Sequence, residues 1–219
     1  MMNVQKRLPN LKEVLSELGP LPMEAVFMGI ADHDGCPLLF DVTDKTSPNV
    51  LIWNGNVEIL KVIANYILSI QRGDRRSTDI EFVVLTSRPK EWEFISKKSR
   101  QLQNTPCVGI IPIWSDTADQ ILLSLAEWIH RGRHPKKSVL VLVDDVDKLI
   151  DLNFDAKQNF GYILLRGRGQ QVFVIGLVKE GISSLREGFQ WNMVYQSDEN
   201  RYYVEGSEVL KVWTPNPEE

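Results

Sequence analysis

From Pro48 onwards the sequence alternates between short apolar runs and segments with helical spacing, and this alternation restricts the fold more than any other feature. Apolar residues fill the runs without a polar face, as in parallel strands covered by helices on both sides. The runs are Val50–Trp53, Ile80–Thr86, Val108–Trp114, Val139–Val143 and Val172–Val178. Segments 59–68 and 121–129 between them have helical periodicity. The pattern predicts an α/β fold with a mostly parallel sheet of about five strands flanked by helices.

Two further pairs of extended runs lie outside this alternation. Ala25–Ile30 and Pro37–Val42 are separated by Asp34-Gly35, which predicts an N-terminal hairpin. Trp191–Gln196 and Tyr202–Glu205 predict a C-terminal hairpin in the same way. The predicted parts of the chain are a lead-in over 1–22, a single α/β domain over 23–212 and a flexible tail over 213–219.

Composition is typical of a globular domain and excludes several classes of protein. The chain has 219 residues, 43% of them hydrophobic, and a formal charge of −4. Its two cysteines, Cys36 and Cys107, are far apart, which argues against a disulfide scaffold or a zinc ribbon and favours a reducing cytoplasm. There is no signal-peptide pattern and no apolar run long enough to span a bilayer. We expect a cytoplasmic domain that reaches a membrane only through partners.

Residues after the first run stand where a phosphate-binding loop would lie in such a fold. That loop requires G-x-x-x-x-G-K-[ST], whose glycines let backbone N–H groups surround the phosphates. Here the stretch 54–61 contains one glycine, Gly55, and Lys61 reaches the position of the phosphate lysine only with a shift of one residue. Val57 and Ile59 are β-branched and resist the positive φ of such loops. The motif is therefore predicted to be degenerate, with Asn54 or Asn56 capping the next helix.

Asp144 and Asp145 follow the apolar run Val139–Val143 and have two interpretations. In a nucleotidase, Asp144 would orient magnesium and Asp145 would polarise the attacking water. Alternatively, an aspartate at the end of a buried strand caps the next helix with its carboxylate. Spacing alone favours the capping interpretation.

These segments occur in the order found in one family, and the chain resembles the FtsK/SpoIIIE-type P-loop ATPase domains, especially those of type VII secretion. Segment 48–52 is similar to the strand into Walker A, and 141–149 to Walker B with an Asp-Asp pair. Segment 161–169 is similar to the Gly-Arg segment before the last core strand, while 28–41 and 81–92 resemble the family's first hairpin and second strand. The resemblance covers about residues 20–210 and implies a RecA/FtsK-like core.

Three departures from the family pattern affect parts that touch nucleotide or its water. The phosphate loop is degenerate, Asp145 replaces the usual Glu, and Lys179 stands where a polar residue, usually Gln, ends the last core strand. The type VII group includes domains with degraded nucleotide sites that act through contacts with substrates or neighbours. The resemblance therefore implies that possibility here.

Four further side chains are candidates for partner binding. Trp53 and Trp114 end predicted strands near the nucleotide cleft, where they could plug the cleft or receive an apolar peptide side chain. More often, however, such residues are simply the edge of the core. Arg166 and Arg168 could contact a neighbouring subunit's phosphate, or could be a solvated helix end.

Nucleic acid and metal ions are not indicated as ligands. The basic clusters at 72–76, 97–100 and 131–137 each follow a helical segment, where positive charge favours the helix dipole, and few aromatic residues lie among them. The overall acidity argues against DNA binding. His130 and His134 are four residues apart, but the sequence offers no third ligand.

The preferred interpretation is a pseudo-ATPase: a protein-binding or scaffolding domain beside active ATPase domains of a ring assembly, or docked to a protein substrate, in a secretion or translocation apparatus. No cofactor is expected in that case. One alternative is an ATP- and Mg-dependent DNA or protein translocase using Lys61, Asp144 and Asp145. Another is a module that senses nucleotide without turnover.

Overall fold

The computed structural model describes residues 9–70, 80–132, 137–179, 187–205 and 210–217. The described helices are α1 (Leu11–Leu18), α2 (Glu58–Ile70), α3 (Glu93–Arg100), α4 (Asp116–His130) and α5 (Phe154–Arg166). Short 3-10 helices are η1 (Pro89–Trp92), η2 (Val146–Asp151) and η3 (Gly167–Gln170). The strands are β1 (Ala25–Ala31), β2 (Pro37–Asp41), β3 (Val50–Trp53), β4 (Ile80–Thr86), β5 (Cys107–Pro112), β6 (Ser138–Val143), β7 (Val172–Val178), β8 (Trp191–Gln196), β9 (Arg201–Val204) and β10 (Leu210–Trp213). No described helix combines the length and the apolar character needed to cross a bilayer.

All ten described strands form one sheet in the order β2-β1-β10-β9-β8-β3-β7-β6-β4-β5. The six strands from β8 to β5 are parallel to one another, and the four at the other side are antiparallel. The predicted α/β class with a mostly parallel sheet is confirmed.

The predicted count of about five strands was wrong, because the two predicted hairpins extend the central sheet. In the second hairpin, β8 pairs in parallel with β3, with Leu51 opposite Asn192. β9 then pairs with β10, a strand that the sequence pattern did not indicate, and β10 joins β1 of the first hairpin. At the other side, β5 runs over Cys107–Pro112 rather than to Trp114, which lies beyond the strand.

The two faces of the sheet carry separate halves of the core. Because side chains alternate along a strand, Leu140 and Leu142 of β6 face the layer of α1, α2 and α3, whereas Val141 and Val143 face α4 and α5. Helix α2 is buried over nearly its whole length, since it lies between the sheet and other elements. This three-layer arrangement exposes the carboxyl ends of the parallel strands as a common edge.

The first and last described segments of the chain are also held against this core. In α1, Asn10 and Glu13 form a reciprocal capping box, and Leu11 and Val14 are buried. The described part of the predicted tail, 213–217, contains the end of β10, and Pro217 accepts a 2.7 Å hydrogen bond from the side chain of the buried Asn65. The predicted boundary at 212 therefore falls inside β10.

Candidate functional site at the carboxyl edge of the sheet

The ends of four adjacent parallel strands bring most of the predicted site residues to one edge. Trp53 is opposite Val178 where β3 and β7 end, and Leu85 is opposite Val143 where β4 and β6 end. In open α/β sheets, ligands bind in the crevice beyond this edge. The residues that follow these strands therefore decide what the site can bind.

The connection from β3 to α2 has four residues, 54–57, and the amide of its first residue and the first two amides of α2 are already bonded. The Asn54 N–H donates to the Val178 carbonyl at 2.8 Å. Asn56 accepts from the next turn twice: its side chain from the Glu58 N–H at 3.3 Å, and its carbonyl from the Ile59 N–H at 3.4 Å. Asn56 thus provides the cap that the sequence predicted for one of the two asparagines. Amides bonded within the loop are not directed at a phosphate.

Gly55 is required for packing in this loop. A Cβ at this position would lie 2.8 Å from Ile52 Cγ2 and 2.9 Å from Leu177 Cδ2, both too close. Its φ is not among the positive values, whereas Asn54 has a φ of 53°. The single glycine of the stretch is accounted for by close contact with two core side chains.

Lys61 lies inside α2, one turn from its start, and its side chain is only 8% exposed. The ammonium contacts the Glu58 carboxylate, with Nζ 2.9 Å from Oε1. In a working phosphate loop the corresponding ammonium would be directed at the phosphate oxygens. Here the charge of Lys61 is balanced within the helix.

Asp144 is buried and its carboxylate accepts hydrogen bonds from three donors. Oδ2 accepts from the Thr86 hydroxyl and, at 3.0 Å, from the indole N–H of Trp92. Oδ1 accepts from the Ser87 backbone N–H at 2.9 Å. Asp144 is 1% exposed, so these donors offset the cost of burying a carboxylate. The cap of the next helix is provided by Asp145 instead, and a magnesium role for Asp144 stays a prediction.

Asp145 is the residue that caps the following helix. Its Oδ1 accepts from the Lys148 N–H at 3.3 Å in the first turn of η2, and its Oδ2 accepts from the Ser87 hydroxyl at 3.3 Å. One turn on, Asp147 accepts from the backbone N–H of Lys179 at 3.1 Å. Lys179 itself is exposed at the end of β7. These contacts join the segments that follow the carboxyl ends of β4, β6 and β7.

The two tryptophans of this edge have different surroundings. Trp53 is half-buried against the core layer of α4 and α5, and its indole N–H donates to Asn192 at 3.3 Å. Trp114 precedes α4 and is 67% exposed. Trp53 is therefore an edge of the core, while Trp114 is available for contact with another molecule.

Arg166 and Arg168 lie at the opposite edge of the sheet. Arg166 ends α5 and Arg168 lies in η3, which precedes β7 near the amino end of β6, where the Val139 N–H donates to the Gln171 carbonyl at 2.8 Å. They are thus separated from the Asp144 site of their own chain. Contact with a neighbouring subunit through these arginines stays a prediction.

Two sets of predicted ligands are only partly described. Positions 72–76 and 133–136, which include most of two basic clusters and His134, lie outside the described residues. Within the described residues, no group of three or more His, Cys, Asp or Glu side chains could hold a metal ion.

The sequence reasoning missed Ser87 and Trp92 as partners of Asp144. Thr86 and Ser87 could have been found, because the carboxyl ends of neighbouring parallel strands meet at one edge. Trp92 lies 52 residues from Asp144 in sequence and carries no local signal.

The fold defined by this sheet and its helical layers is that of P-loop ATPase domains of secretion and conjugation proteins. Thermomonospora curvata EccC (ATPases 2 and 3), solved in complex with a signal sequence peptide, superposes with a TM-score of 0.65 and 16% identity over 97% of this chain and 44% of that one. EssC (ATPases 2 and 3) from Geobacillus thermodenitrificans superposes with a TM-score of 0.66 and 11% identity over 100% of this chain and 48% of that one.

The pCW3 conjugation coupling protein TcpA, solved with ATPγS, gives a TM-score of 0.65 and 10% identity over 99% of this chain and 71% of that one. The predicted FtsK/SpoIIIE-type fold is thereby confirmed. No family model matches the sequence, and no curated protein matches it. The chain spans less than half the length of the EccC and EssC fragments, each of which contains two ATPase domains.

Proposed function

We infer that this domain binds or scaffolds proteins in a secretion or translocation ATPase assembly and does not hydrolyse ATP. The observation that carries the inference is the β3–α2 connection, where four residues take the place of a phosphate loop. The Asn54 amide bonds Val178, the first two amides of α2 bond Asn56, and the side chains of Ile52 and Leu177 occupy the space beside Gly55. A triphosphate would find the amides of Asn54, Glu58 and Ile59 already occupied.

The opposite side of the cleft supports the same conclusion. Asp144 would have to bring magnesium to the phosphates, but both of its oxygens accept from Thr86, Ser87 or Trp92. The Lys61 ammonium is paired with Glu58. Nucleotide binding would require several of these contacts to break together, and each broken contact leaves a buried polar group without its partner.

The place in an assembly is supported by the relatives in structure. The chain covers 44% of an EccC fragment that contains two ATPase domains, which is the size of one domain within such a tandem. That EccC fragment was solved with a signal sequence peptide, so protein recognition occurs on this fold. We expect the partner here to be another ATPase domain or a protein substrate.

Calorimetric titration with Mg-ATP tests the loss of nucleotide chemistry. We expect no binding heat, while TcpA, a relative solved with ATPγS, serves as the positive control. Micromolar binding that is lost in Lys61→Ala would overturn the proposal in favour of an ATP-driven translocase. Binding without turnover, unchanged by Asp145→Asn, would favour the nucleotide-sensing alternative.

A second experiment addresses the protein-binding half. Partners cross-linked in cells to the tagged domain are compared with those of Trp114→Ala, which removes an exposed side chain, and Trp53→Ala, which removes one that packs on the core. Loss of a secretion ATPase or exported protein in Trp114→Ala supports docking at this edge. An unchanged set in both variants counts against it.

A further inference from the structure

Helices α4 and α5 pack side by side on one face of the sheet and leave a groove between their first halves. The groove encloses about 500 Å³. Its walls include Asp119, Gln120 and Leu123 of α4, and Asp155 and Asn159 of α5. Two parallel helix surfaces with a depression between them have the shape into which a third helix packs.

One large apolar side chain is exposed in the wall of this groove, and another is exposed at the start of α5, next to the lining residues in sequence. Leu123, in its wall, is 48% exposed. Phe154, which lies between the lining residues Asn153 and Asp155, is 72% exposed. Exposed aromatic side chains beside a concave surface are characteristic of sites where another protein buries them. Neither Leu123 nor Phe154 belongs to the hydrophobic core beneath α4 and α5.

The charge of the groove is negative. Asp119 and Asp155 are in its walls, and no described residue of the lining is a lysine or an arginine. Asn153 donates to the Asp119 carboxylate, which fixes that acid at the start of α5. An anionic ligand such as a nucleotide is repelled by this surface, whereas a cationic segment is attracted to it.

We propose that the α4–α5 groove binds an amphipathic helix of a partner protein that carries lysine or arginine next to its apolar stripe. Apolar residues of that helix contact Leu123 and Phe154, and the flanking cations pair with Asp119 and Asp155. The inference rests on the protein-binding half of the proposed function and assigns it a surface and a partner chemistry. The groove lies on the helical layer, and its lining shares no residue with Asp144 and the three residues that donate to it.

The test uses the full chain without nucleotide and three synthetic peptides of about 16 residues, roughly 24 Å when helical. One has leucines at helical spacing flanked by lysines, the second has glutamate for each lysine, and the third has the first composition in scrambled order. Fluorescence anisotropy measures the Kd of each. We expect the cationic amphipathic peptide to bind and the other two to bind at least about tenfold more weakly.

Matched variants separate the groove from general charge attraction. Asp155→Lys reverses a charge of the walls and Gln158→Lys adds a positive one, whereas Glu17→Lys places a cation on the exposed face of α1. Phe154→Ala is compared with Leu165→Ala, since Leu165 is similarly exposed at the far end of α5. We expect about tenfold weaker binding for the groove variants and no change for the controls. Circular dichroism verifies that each variant is folded.

Three results would overturn the assignment: equal weakening by Glu17→Lys and Asp155→Lys, preference for the acidic peptide, or no binding of any peptide. A concentration-dependent dimer that is lost in Phe154→Ala would assign the groove to a second copy instead. The proposed loss of ATP binding is tested separately, because the calorimetric titration with Mg-ATP contains no peptide. ATP binding with intact peptide binding would remove the pseudo-ATPase proposal and leave the groove unaffected.

Discussion

The indole N–H of Trp92 donates a 3.0 Å hydrogen bond to the carboxylate of Asp144. Trp92 is fully buried and belongs to the core layer of α2 and α3, so this contact fastens η1 to the end of β6. An acid at the position of a magnesium ligand is thereby held by a side chain of the core.

Trp92→Phe should therefore destabilise the protein. The change removes one of three donors to a buried carboxylate and leaves a small void, for a loss of about 2–3 kcal/mol in the free energy of unfolding. Urea denaturation at neutral pH measures it. Trp114→Phe is the matched control, because Trp114 is mostly exposed, and it should change stability by less than about 0.5 kcal/mol. Equal losses in the two variants would contradict this role of Trp92.

Gly55→Ala and Gly161→Ala should have opposite effects. A Cβ at Gly55 would approach Ile52 and Leu177 closer than 3 Å, and such overpacking costs about 1–3 kcal/mol. Gly161 is in the middle of α5 with nothing within 4 Å of an added Cβ, so alanine should stabilise by about 0.5–1 kcal/mol. Thermal and urea unfolding of both variants check the signs. A neutral Gly55→Ala would mean that the loop is not tightly packed.

Asn49→Ala should be strongly destabilising. The fully buried side chain of Asn49 donates to the Leu164 carbonyl at 2.8 Å and accepts from the Val174 N–H at 2.9 Å, which ties β3 to α5 and β7. Its loss leaves two buried backbone groups without these partners and should cost about 2–4 kcal/mol.

Asn56→Ala, which removes an exposed cap of α2, should cost about 1 kcal/mol and serves as the control for Asn49→Ala. Chemical denaturation measures the free energy of unfolding of both variants and so ranks them by stability. The opposite ranking would contradict the central position of Asn49.

Alkaline pH should destabilise the fold through Tyr202. Burial raises the pKa of the Tyr202 hydroxyl far above its usual value, and nearby Tyr195 and Glu58 add to the shift. The unfolded chain releases this proton near pH 10 and the folded chain retains it, so stability is unaffected below about pH 10 and falls as the pH rises further. The slope is at most about 1.4 kcal/mol per pH unit for this one group.

Tyr202→Phe should flatten that alkaline slope, as measured by urea unfolding between about pH 9 and 11.5. It removes a 3.4 Å hydrogen bond to the Asn56 carbonyl, so a small loss at neutral pH is expected as well. Tyr203→Phe is the comparison, since Tyr203 is half-buried and bonds Glu199. If the slope is unchanged in Tyr202→Phe, another group controls the alkaline transition.

The sequence pattern gave a correct account of the parallel centre of the sheet because that part of the fold is local. Runs such as Ile80–Thr86 and Val172–Val178 are apolar throughout, and their observed bounds agree with the prediction. The side-by-side order of the strands is not local. Nothing in residues 191–196 indicates that they pair in parallel with β3, and β10 is short and partly exposed, so both were missed.

The same division holds for the candidate site. Strand ends followed by acids placed Asp144 and Asp145 at the correct edge. Which groups those acids contact depends on how β4 and η1 pack beside β6, and that packing joins residues about fifty positions apart. Single-sequence periodicity contains no information on such contacts.

The pairing of β1 with β10 has a consequence for how the molecule folds. Ile30 is opposite Trp213, and the Leu11 N–H donates to the Asn216 carbonyl at 3.0 Å. The first hairpin consequently gains its neighbour in the sheet only once the last strand has left the ribosome. Until then the hydrogen-bonding edge of β1 lacks this partner, and a nascent chain arrested before residue 210 should remain susceptible to proteases.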